Sequence, residues 1–349
     1  MQTVNQESTD AASGVAQAKF DKIGSVAVGR GPIADVATDT SGRTLVVTNY
    51  GDDSVSLVDT HTLSVDATVG VRGEPFEATV VDRHAHIGIA SANYDAVSVI
   101  DMVTKAPIAT YALTDSLIGV AVDPDGKRIY VSTRGRDSVQ LAAINTTTDE
   151  IDTIELAHGA GISVDAVRTA PDGQRLYAAV SGLYGGKLVI VDAHAGQVVR
   201  AVTIGSPIRD IAVAADGRTV YALTCDPRRG GAITIVDAAT TDIAATVEIG
   251  GFPLQMALSS DGTQAYVVDI KHVAVVCTVT METVGTIGVG TQASCVVASP
   301  DGARLYVADD AGVVTALRAA PTTLLPAYDV MATEMLPAPA VREMEPAGV

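Results

Sequence analysis

The chain has 349 residues, a net charge of −18 and only 4% aromatic residues, with no tryptophan. Such an acidic surface repels phosphate backbones and few rings are available for base stacking, so composition excludes nucleic acid as the expected partner. The sequence contains no run of about 18 apolar residues, which excludes insertion into a membrane by an apolar helix, and its many small and β-branched residues favour strands.

The first 19 residues are polar, and their opening stretch MQTVNQESTDAASG has neither the basic nor the apolar segment of a secretory signal. We therefore expect a flexible polar arm over residues 1–19 and a cytoplasmic protein. A strand-like segment, FDKIGSVAVG, follows at 20–29.

A turn followed by a strand then recurs along the chain. The six clear copies are TSGRTLVVTN (40–49), DPDGKRIYVST (123–133), APDGQRLYAAV (170–180), AADGRTVYALT (214–224), SSDGTQAYVVD (259–269) and SPDGARLYVAD (299–309). The gap from Gly42 to Gly126 covers two periods, and residues 80–101 fill it as a hidden unit in which 83–85 replace the Asp-Gly turn. The chain therefore holds seven units spaced by about 43 residues.

Each unit contains four short apolar runs, clearest in the unit at 207–250 as IAVA, VYALT, ITIVD and ATVEI. Four short strands per period of this length indicate a propeller blade. The last unit ends after its third run, whereas FDKIGSVAVG at 20–29 matches the fourth-run text TDIAATVEIG at 241–250. The sequence predicts an all-β, seven-bladed β-propeller of four-stranded antiparallel blades over residues 20–318, with residues 20–29 closing the ring beside 312–318.

These units resemble the YVTN-repeat seven-bladed propellers, whose second strands read Tyr-Val-Thr-Asn after a Pro-Asp-Gly turn. The matching text is Val47-Thr48-Asn49, Tyr130-Val131-Ser132, Tyr177, Tyr221, Tyr266-Val267 and Tyr306-Val307, with VSLVD, VSVID and ITIVD as third strands. The resemblance implies the propeller fold, which hosts lyases, lactonases, binding modules and scaffolds.

Residues 319–349 contain five of the 14 prolines and are interpreted as a flexible, Pro-rich tail. Within the tail, AYDVMATEML (327–336) could form a short helix that docks on a partner. Disorder, or packing on the propeller itself, is the favoured interpretation.

Local motifs predict neither a metal nor a cofactor. His84 and His86 have a spacing that metals can use, but no third ligand is nearby in sequence and we interpret them as part of a solvated hairpin. Cys225, Cys277 and Cys295 are odd in number and widely spaced, which favours reduced, semi-buried thiols. The Asp-Gly pairs lack the further oxygen ligands of a calcium loop and are interpreted as turns.

Candidate binding residues come from aligning the seven turns. One column then contains Ala34, Glu77, Ile118, Asp165, Arg209, Leu254 and Ser294, and the next contains Asp35, Ala78, Gly119, Ala166, Asp210, Gln255 and Cys295. Both columns are expected at the channel mouth, beside loops that carry Arg134 and Lys271. We predict a ligand-binding set of Asp35, Glu77, Asp165, Arg209, Asp210, Arg134 and Lys271. Arg209 is its anchor, either held by the carboxylates or left to receive an anionic group.

No local catalytic motif is present, so the sequence favours a non-enzymatic binding or scaffold propeller that presents its loop-rich face and channel mouth to a protein partner or small ligand. The alternative is a lactonase-like or lyase-like propeller enzyme with a polar active site at the channel mouth, because propeller active sites are assembled from several blades.

Overall fold

Seven four-stranded antiparallel sheets make up the described part of the chain. The computed structural model describes residues 20–319 except 136, 184, 271, 290 and 291. The predicted N-terminal arm and, beyond Ala319, the predicted tail lie outside the described residues. One three-residue 3-10 turn, Tyr50–Asp52, is the helical element within the described range.

The strands of each blade follow one another in sequence, with the exception of the closing strand β1 (Phe20–Ala27). Blades one to three contain β2 (Ile33–Thr38), β3 (Thr44–Asn49), β4 (Ser54–Asp59), β5 (Ser64–Gly70), β6 (Glu74–Val81), β7 (His84–Ala90), β8 (Asp95–Asp101), β9 (Ala106–Leu113), β10 (Ser116–Val122), β11 (Arg128–Arg134), β12 (Ser138–Asn145) and β13 (Ile151–His158).

Blades four to seven continue the same order. They contain β14 (Ser163–Thr169), β15 (Arg175–Gly182), β16 (Gly185–Asp192), β17 (Gln197–Thr203), β18 (Ile208–Val213), β19 (Thr219–Asp226), β20 (Gly230–Asp237), β21 (Ile243–Glu248), β22 (Pro253–Leu258), β23 (Gln264–Asp269), β24 (His272–Cys277), β25 (Glu282–Gly288), β26 (Ala293–Ala298), β27 (Arg304–Asp309) and β28 (Val313–Ala319).

The first strands form the inner ring. Each first strand contacts the first strand of the next blade, and β26 of blade seven returns to β2 of blade one. The second and third strands are buried on both faces because each sheet is sandwiched between two others, as in β3, where all residues after Thr44 are buried. The outer fourth strands are largely exposed, as in β5. The predicted seven-bladed, all-β architecture is confirmed.

The N-terminal strand closes the ring as predicted. β1 pairs antiparallel with β28, from Phe20 opposite Ala319 to Ala27 opposite Val313, in the order β1-β28-β27-β26. Beyond the ladder, the Val28 amide donates to the Gly312 carbonyl at 2.9 Å. Closure buries Val26 of β1, and Val28 just after it, in the core between blades seven and one. The two ends of the ring are therefore joined by both hydrogen bonds and packing.

Blade two departs from the repeat at its first hairpin. The hairpin turn consists of Asp82 and Arg83, whereas blade one uses residues 39–43. His84 and His86 consequently lie within β7, and His86 is only 3% exposed. The interpretation of this pair as a solvated hairpin is therefore wrong for His86, which replaces a tyrosine of the repeat and is packed inside the blade.

The turn between the third and fourth strands has its own repeated acceptor. In five blades, a side-chain oxygen at the end of the third strand accepts hydrogen bonds from two backbone amides of the turn. The accepting residues are Asp59, Asp101, Asn145, Asp192 and Asp237. In blade six this position is Cys277, whose Sγ accepts the Thr280 amide at 3.4 Å. Burial acts to raise the pKa of the Cys277 thiol, but hydrogen bonds from the Thr280 hydroxyl and from the turn amides outweigh it and lower the pKa. Sulfur is nevertheless a weaker acceptor than oxygen.

Replacing Cys277 by Asn should therefore stabilise the protein, because an amide oxygen would accept the turn amides as Asn145 does in blade three. We expect a gain of about 0.5–1 kcal/mol in the free energy of unfolding, measured by chemical denaturation. Asn is preferable to Asp because it adds no charge beside Glu282. Cys277→Ala, which has no acceptor, is the matched control and should be less stable than the natural chain. Equal stability of the Asn and Ala variants would contradict the capping role.

Candidate functional site

Every first strand carries a β-bulge at the same place. The ladder skips one residue between the first and second strands of each blade, and the skipped residues are Ala34, Phe76, Ile118, Asp165, Arg209, Leu254 and Ser294. The residues that follow form what we call the inner column: Asp35, Glu77, Gly119, Ala166, Asp210, Gln255 and Cys295. A bulge redirects side chains, here towards the channel.

The inner column corrects the sequence alignment at blade two. Glu77 lies in register with Asp35 and Asp210, not with Asp165 and Arg209 as the aligned turns predicted. The two-residue hairpin of blade two, shorter than the turns used for alignment, accounts for the one-residue error.

Polar members of the inner column join neighbouring blades. Each accepts a backbone N–H from the first strand of the following blade: Asp35 from Ala78 at 3.0 Å, Glu77 from Val120 at 2.6 Å, Asp210 from Met256 at 2.9 Å and Gln255 from Val296 at 2.8 Å. A first strand has a ladder partner on one side only, so its channel-facing amides need another acceptor. The inner column supplies it, and the blades are thereby held in fixed relation.

Arg168 lies at the centre of this arrangement. Its guanidinium donates to Glu77 of blade two at 3.1 Å and to Asp210 of blade five at 2.8 Å, so that one side chain bridges three blades. It also donates to its own neighbour, the Val167 carbonyl, at 2.8 Å. A Cβ on residue 119 would lie 3.0 Å from Ser132 Oγ and in van der Waals contact with the Glu77 carboxylate at 3.4 Å. Sequence reasoning did not find Arg168.

A signal for Arg168 was present in the sequence. Along a strand, residues two apart share a face, so the second channel-facing layer lies two positions after the inner column. Six members of that layer are small or uncharged, Ala37, Thr79, Ala121, Ala212, Ala257 and Val297, and the seventh is Arg168. The sequence alignment stopped at the first two columns and missed this layer.

Asp35 and Gln255 complete the polar ring. The Gln255 amide donates to Asp35 at 2.9 Å, which links blade six to blade one past the uncharged Cys295 of blade seven. Asp35 and Asp210 also accept the amides of their own next residues, Val36 and Ile211. We call Asp35, Glu77, Arg168, Asp210 and Gln255 the channel network, and each of its carboxylates is already engaged by the protein itself.

Burial sets the protonation of the channel network. Desolvation raises the pKa of Asp35 to about 6 and that of Glu77 to about 7, although Arg168 and the backbone amides act in the opposite direction. Burial raises the pKa of Asp210 as well. Three carboxylates share one guanidinium, so full ionisation leaves excess negative charge in a poorly solvated place. These groups therefore contribute stability at low pH that is lost as the pH rises through 6 and 7.

The other predicted residues are placed apart from this network. Arg209 and Arg134 are exposed, Asp165 is partly exposed, and Lys271 lies outside the described residues. Within the described part of the chain, Arg209 has no ion pair. Of the two alternatives predicted for Arg209, the one in which carboxylates hold its guanidinium is therefore wrong, because Arg168 has that role. The alternative in which Arg209 receives an anionic group stays a prediction. Of the predicted set, the structure brings together Asp35, Glu77 and Asp210.

The comparisons with known proteins agree with this architecture. The chain is 35% identical over 327 residues to the seven-bladed beta-propeller protein Rv1057 of Mycobacterium tuberculosis, covering 84% of this chain and 83% of that protein. This chain belongs to the seven-bladed β-propeller family. A seven-bladed beta-propeller protein of Mycolicibacterium smegmatis is 41% identical over 189 residues, covering 54% of this chain and 51% of that protein. No protein-family model matches the chain.

Among solved structures, hydrazine synthase of Kuenenia stuttgartiensis superposes on this propeller with a TM-score of 0.74 and 23% identity, over 84% of this chain and 97% of that one. At this identity the likeness concerns the fold alone. It carries no statement about chemistry.

Within the described ranges, no three His, Cys, Asp or Glu side chains lie together so as to hold a metal ion. His86 is buried, and its Nδ1 has no partner in the described structure. The described residues include no helix long and apolar enough to cross a membrane.

Arg168→Met should destabilise this propeller strongly, because it leaves the Glu77 and Asp210 carboxylates without their cation and removes the nearest positive charge from Asp35. We expect a loss of about 2–4 kcal/mol at pH 8, measured by denaturant titration. The loss should be smaller at pH 5, where Asp35 and Glu77 bind protons in the folded state. Arg209→Met is the matched control and should change stability by less than about 0.5 kcal/mol. A pH-independent loss, or equal losses for both variants, would contradict the central role of Arg168.

His86→Phe should make the protein less sensitive to acid. Burial lowers the pKa of His86 to about 4, so the unfolded chain binds its proton first as the pH falls below about 6.5. The stability that neutral His86 provides is present above pH 6.5 and is lost as the pH falls through 4, by up to about 3 kcal/mol. Denaturation curves at pH 7 and pH 4.5 should show a smaller difference for His86→Phe than for the natural chain. The exposed His61→Gln control should not reduce it.

Proposed function

We propose that this chain is a non-enzymatic, protein-binding propeller that works through one face of the ring. That face, which we call the loop face, consists of the loops between second and third strands and the segments that enter each first strand. The carrying observation is its exposed apolar residues: Tyr50, Tyr94, Leu183, Phe252, Leu254 and Ile270. In a chain with so few aromatic residues, exposing three of them on one face supports a protein partner.

The channel network supports the same proposal because its polar groups have a structural role. Its carboxylates accept backbone amides of neighbouring blades or bind Arg168, so they hold the frame together. A lactonase-like or lyase-like enzyme would need polar groups aimed at a substrate, whereas the channel network is directed at the protein itself. The runner-up therefore has no specific observation in its favour.

The finer assignments of the proposal come from the sequence. The Pro-Asp-Gly turns and the Tyr-Val text of the second strands resemble those of the YVTN-repeat propellers, and membership of that group and a cytoplasmic location are kept as parts of the proposal. Docking of residues 327–336 on a partner stays the less favoured alternative to disorder or to packing on the propeller, and it remains an untested prediction.

Site-specific photo-crosslinking can test the choice of face. A benzophenone amino acid placed at Phe252, 57% exposed on the loop face, should crosslink partner proteins in cells. The matched position is Val279, 69% exposed in a turn between third and fourth strands on the opposite face. We expect several-fold more crosslinked partner at position 252, suppressed by an excess of the unmodified chain.

An excess of a Phe252→Asp chain should compete poorly with the same crosslinks, because it lacks the apolar contact. Equal crosslinking at positions 252 and 279, or equal competition by both chains, would show that the loop face is not the binding surface.

A further inference from the structure

The loop face is not uniform, and its apolar residues are densest over blades four to six. Leu183 follows β15, 82% exposed, and Phe252, Leu254 and Ile270 belong to blade six. Because Pro253 pairs with Asp269 across the first two strands of blade six, Phe252 and Ile270 lie opposite each other just beyond that pair. These three exposed apolar residues lie at the same end of blade six, and we call them the apolar cluster.

Blade five places arginines next to that cluster. Arg228 and Arg229 are exposed in the turn between β19 and β20. The start of β20, directly after that turn, packs closely on the segment entering blade six: a Cβ on Gly231 would lie 2.6 Å from Pro253 Cδ, and the Gly231 amide donates to the Gly250 carbonyl at 3.0 Å. The arginines and the apolar cluster are thus parts of one continuous surface.

The same close packing extends the surface to blade four. The Ile204 amide donates to the Gly186 carbonyl at 2.9 Å, which holds the segment entering blade five against β16, beside Leu183. Glycines at these contacts let neighbouring segments approach closely, and backbone hydrogen bonds fix these segments in place. Apolar and arginine side chains project from them. We call Leu183, Arg228, Arg229, Phe252, Leu254 and Ile270 the blade 4–6 patch.

The two arginines of the patch are exposed and lie near one carboxylate of the chain, that of Asp226, with which each has an attractive electrostatic interaction but no ion pair. Asp226 accepts the backbone amides of Arg228 and Arg229 through Oδ1, at 2.8 and 2.9 Å, but neither guanidinium has an ion pair with any described residue. A guanidinium fork flanked by apolar side chains suits carboxylates presented beside apolar side chains. On a chain of net charge −18, exposed unpaired arginines offer local complementarity that the acidic body does not.

We propose that the blade 4–6 patch binds an acidic segment of a partner protein, whose carboxylates pair with Arg228 and Arg229 and whose apolar side chains pack on Phe252, Leu254 and Ile270. This assignment rests on the proposed use of the loop face and adds the chemistry of the partner. Binding should weaken with increasing salt, because the ion pairs are at an exposed surface.

The test uses the full chain and a short fluorescein-labelled peptide in which Glu alternates with Leu, measured by fluorescence anisotropy. Two peptides serve as references, one with Lys in place of each Glu and one with Ser in place of each Leu. We expect the Glu-Leu peptide to bind at least about tenfold more tightly than either reference. Arg228→Glu combined with Arg229→Glu should weaken its binding about tenfold, and so should Phe252→Asp combined with Leu254→Asp.

The matched control is Arg218→Glu, an exposed arginine at the other end of blade five, which should leave binding unchanged. Thermal melting of each variant shows that it remains folded. Tighter binding of the Lys-Leu peptide, or equal losses for Arg218→Glu and the double arginine variant, would overturn the proposal.

Two further outcomes separate this proposal from the others. If crosslinking maps partners to position 252 but the Glu-Leu peptide does not bind preferentially, the loop face stands and the acidic partner is wrong. If sedimentation shows that the natural chain self-associates and that the double arginine variant is monomeric, the occupant is a second copy of the chain. That result would also overturn the proposal.

Discussion

One guanidinium at the centre of the ring determines how much negative charge the channel can hold. Glu77 and Asp210 are held at opposite sides of Arg168, and each also accepts an amide from the blade that follows it. Without that cation, the same carboxylates would have to satisfy the edge amides while carrying unpaired charge in a poorly solvated place, which burial penalises. The inter-blade hydrogen bonds made by Glu77 and Asp210 therefore depend on Arg168.

A second set of contacts joins the blades at the face opposite the loop face. Arg128, Arg175 and Arg304, each the first residue of a second strand, donate to carbonyl groups of the next blade at Ala193, Ala238 and Thr60. The last of these joins blade seven to blade one, the same boundary where β1 buries its apolar residues. Strand pairing, packing and an arginine contact therefore all join blade seven to blade one. Together they specify where the ring closes, although its core consists mainly of small residues that are similar from blade to blade.

The sequence was sufficient for the fold because the relevant information is local and repeated. Alternating apolar runs, Asp-Gly turns and the unpaired fourth-strand text at 20–29 each depend on a few neighbouring residues, and seven copies average out the irregularities. The channel network is different in kind. Glu77 was placed one residue out of register because blade two has a shorter hairpin, and the partner of Glu77 and Asp210 comes from a layer that turn alignment did not reach. Contacts between distant blades leave no spacing rule in the sequence.

Separation of the frame from the binding surface follows from where polar groups are satisfied. In the channel, carboxylates and the guanidinium meet partners within the chain, and substitution there changes how blades fit together. On the loop face, Arg228 and Arg229 have their backbone amides capped by Asp226 while their guanidinium groups project outward. The turn is therefore fixed by hydrogen bonds to backbone amides, and neither guanidinium forms an ion pair with a described residue. Because close glycine contacts hold that turn against the next blade, a partner would meet a surface already in its binding geometry and would lose less conformational entropy on binding.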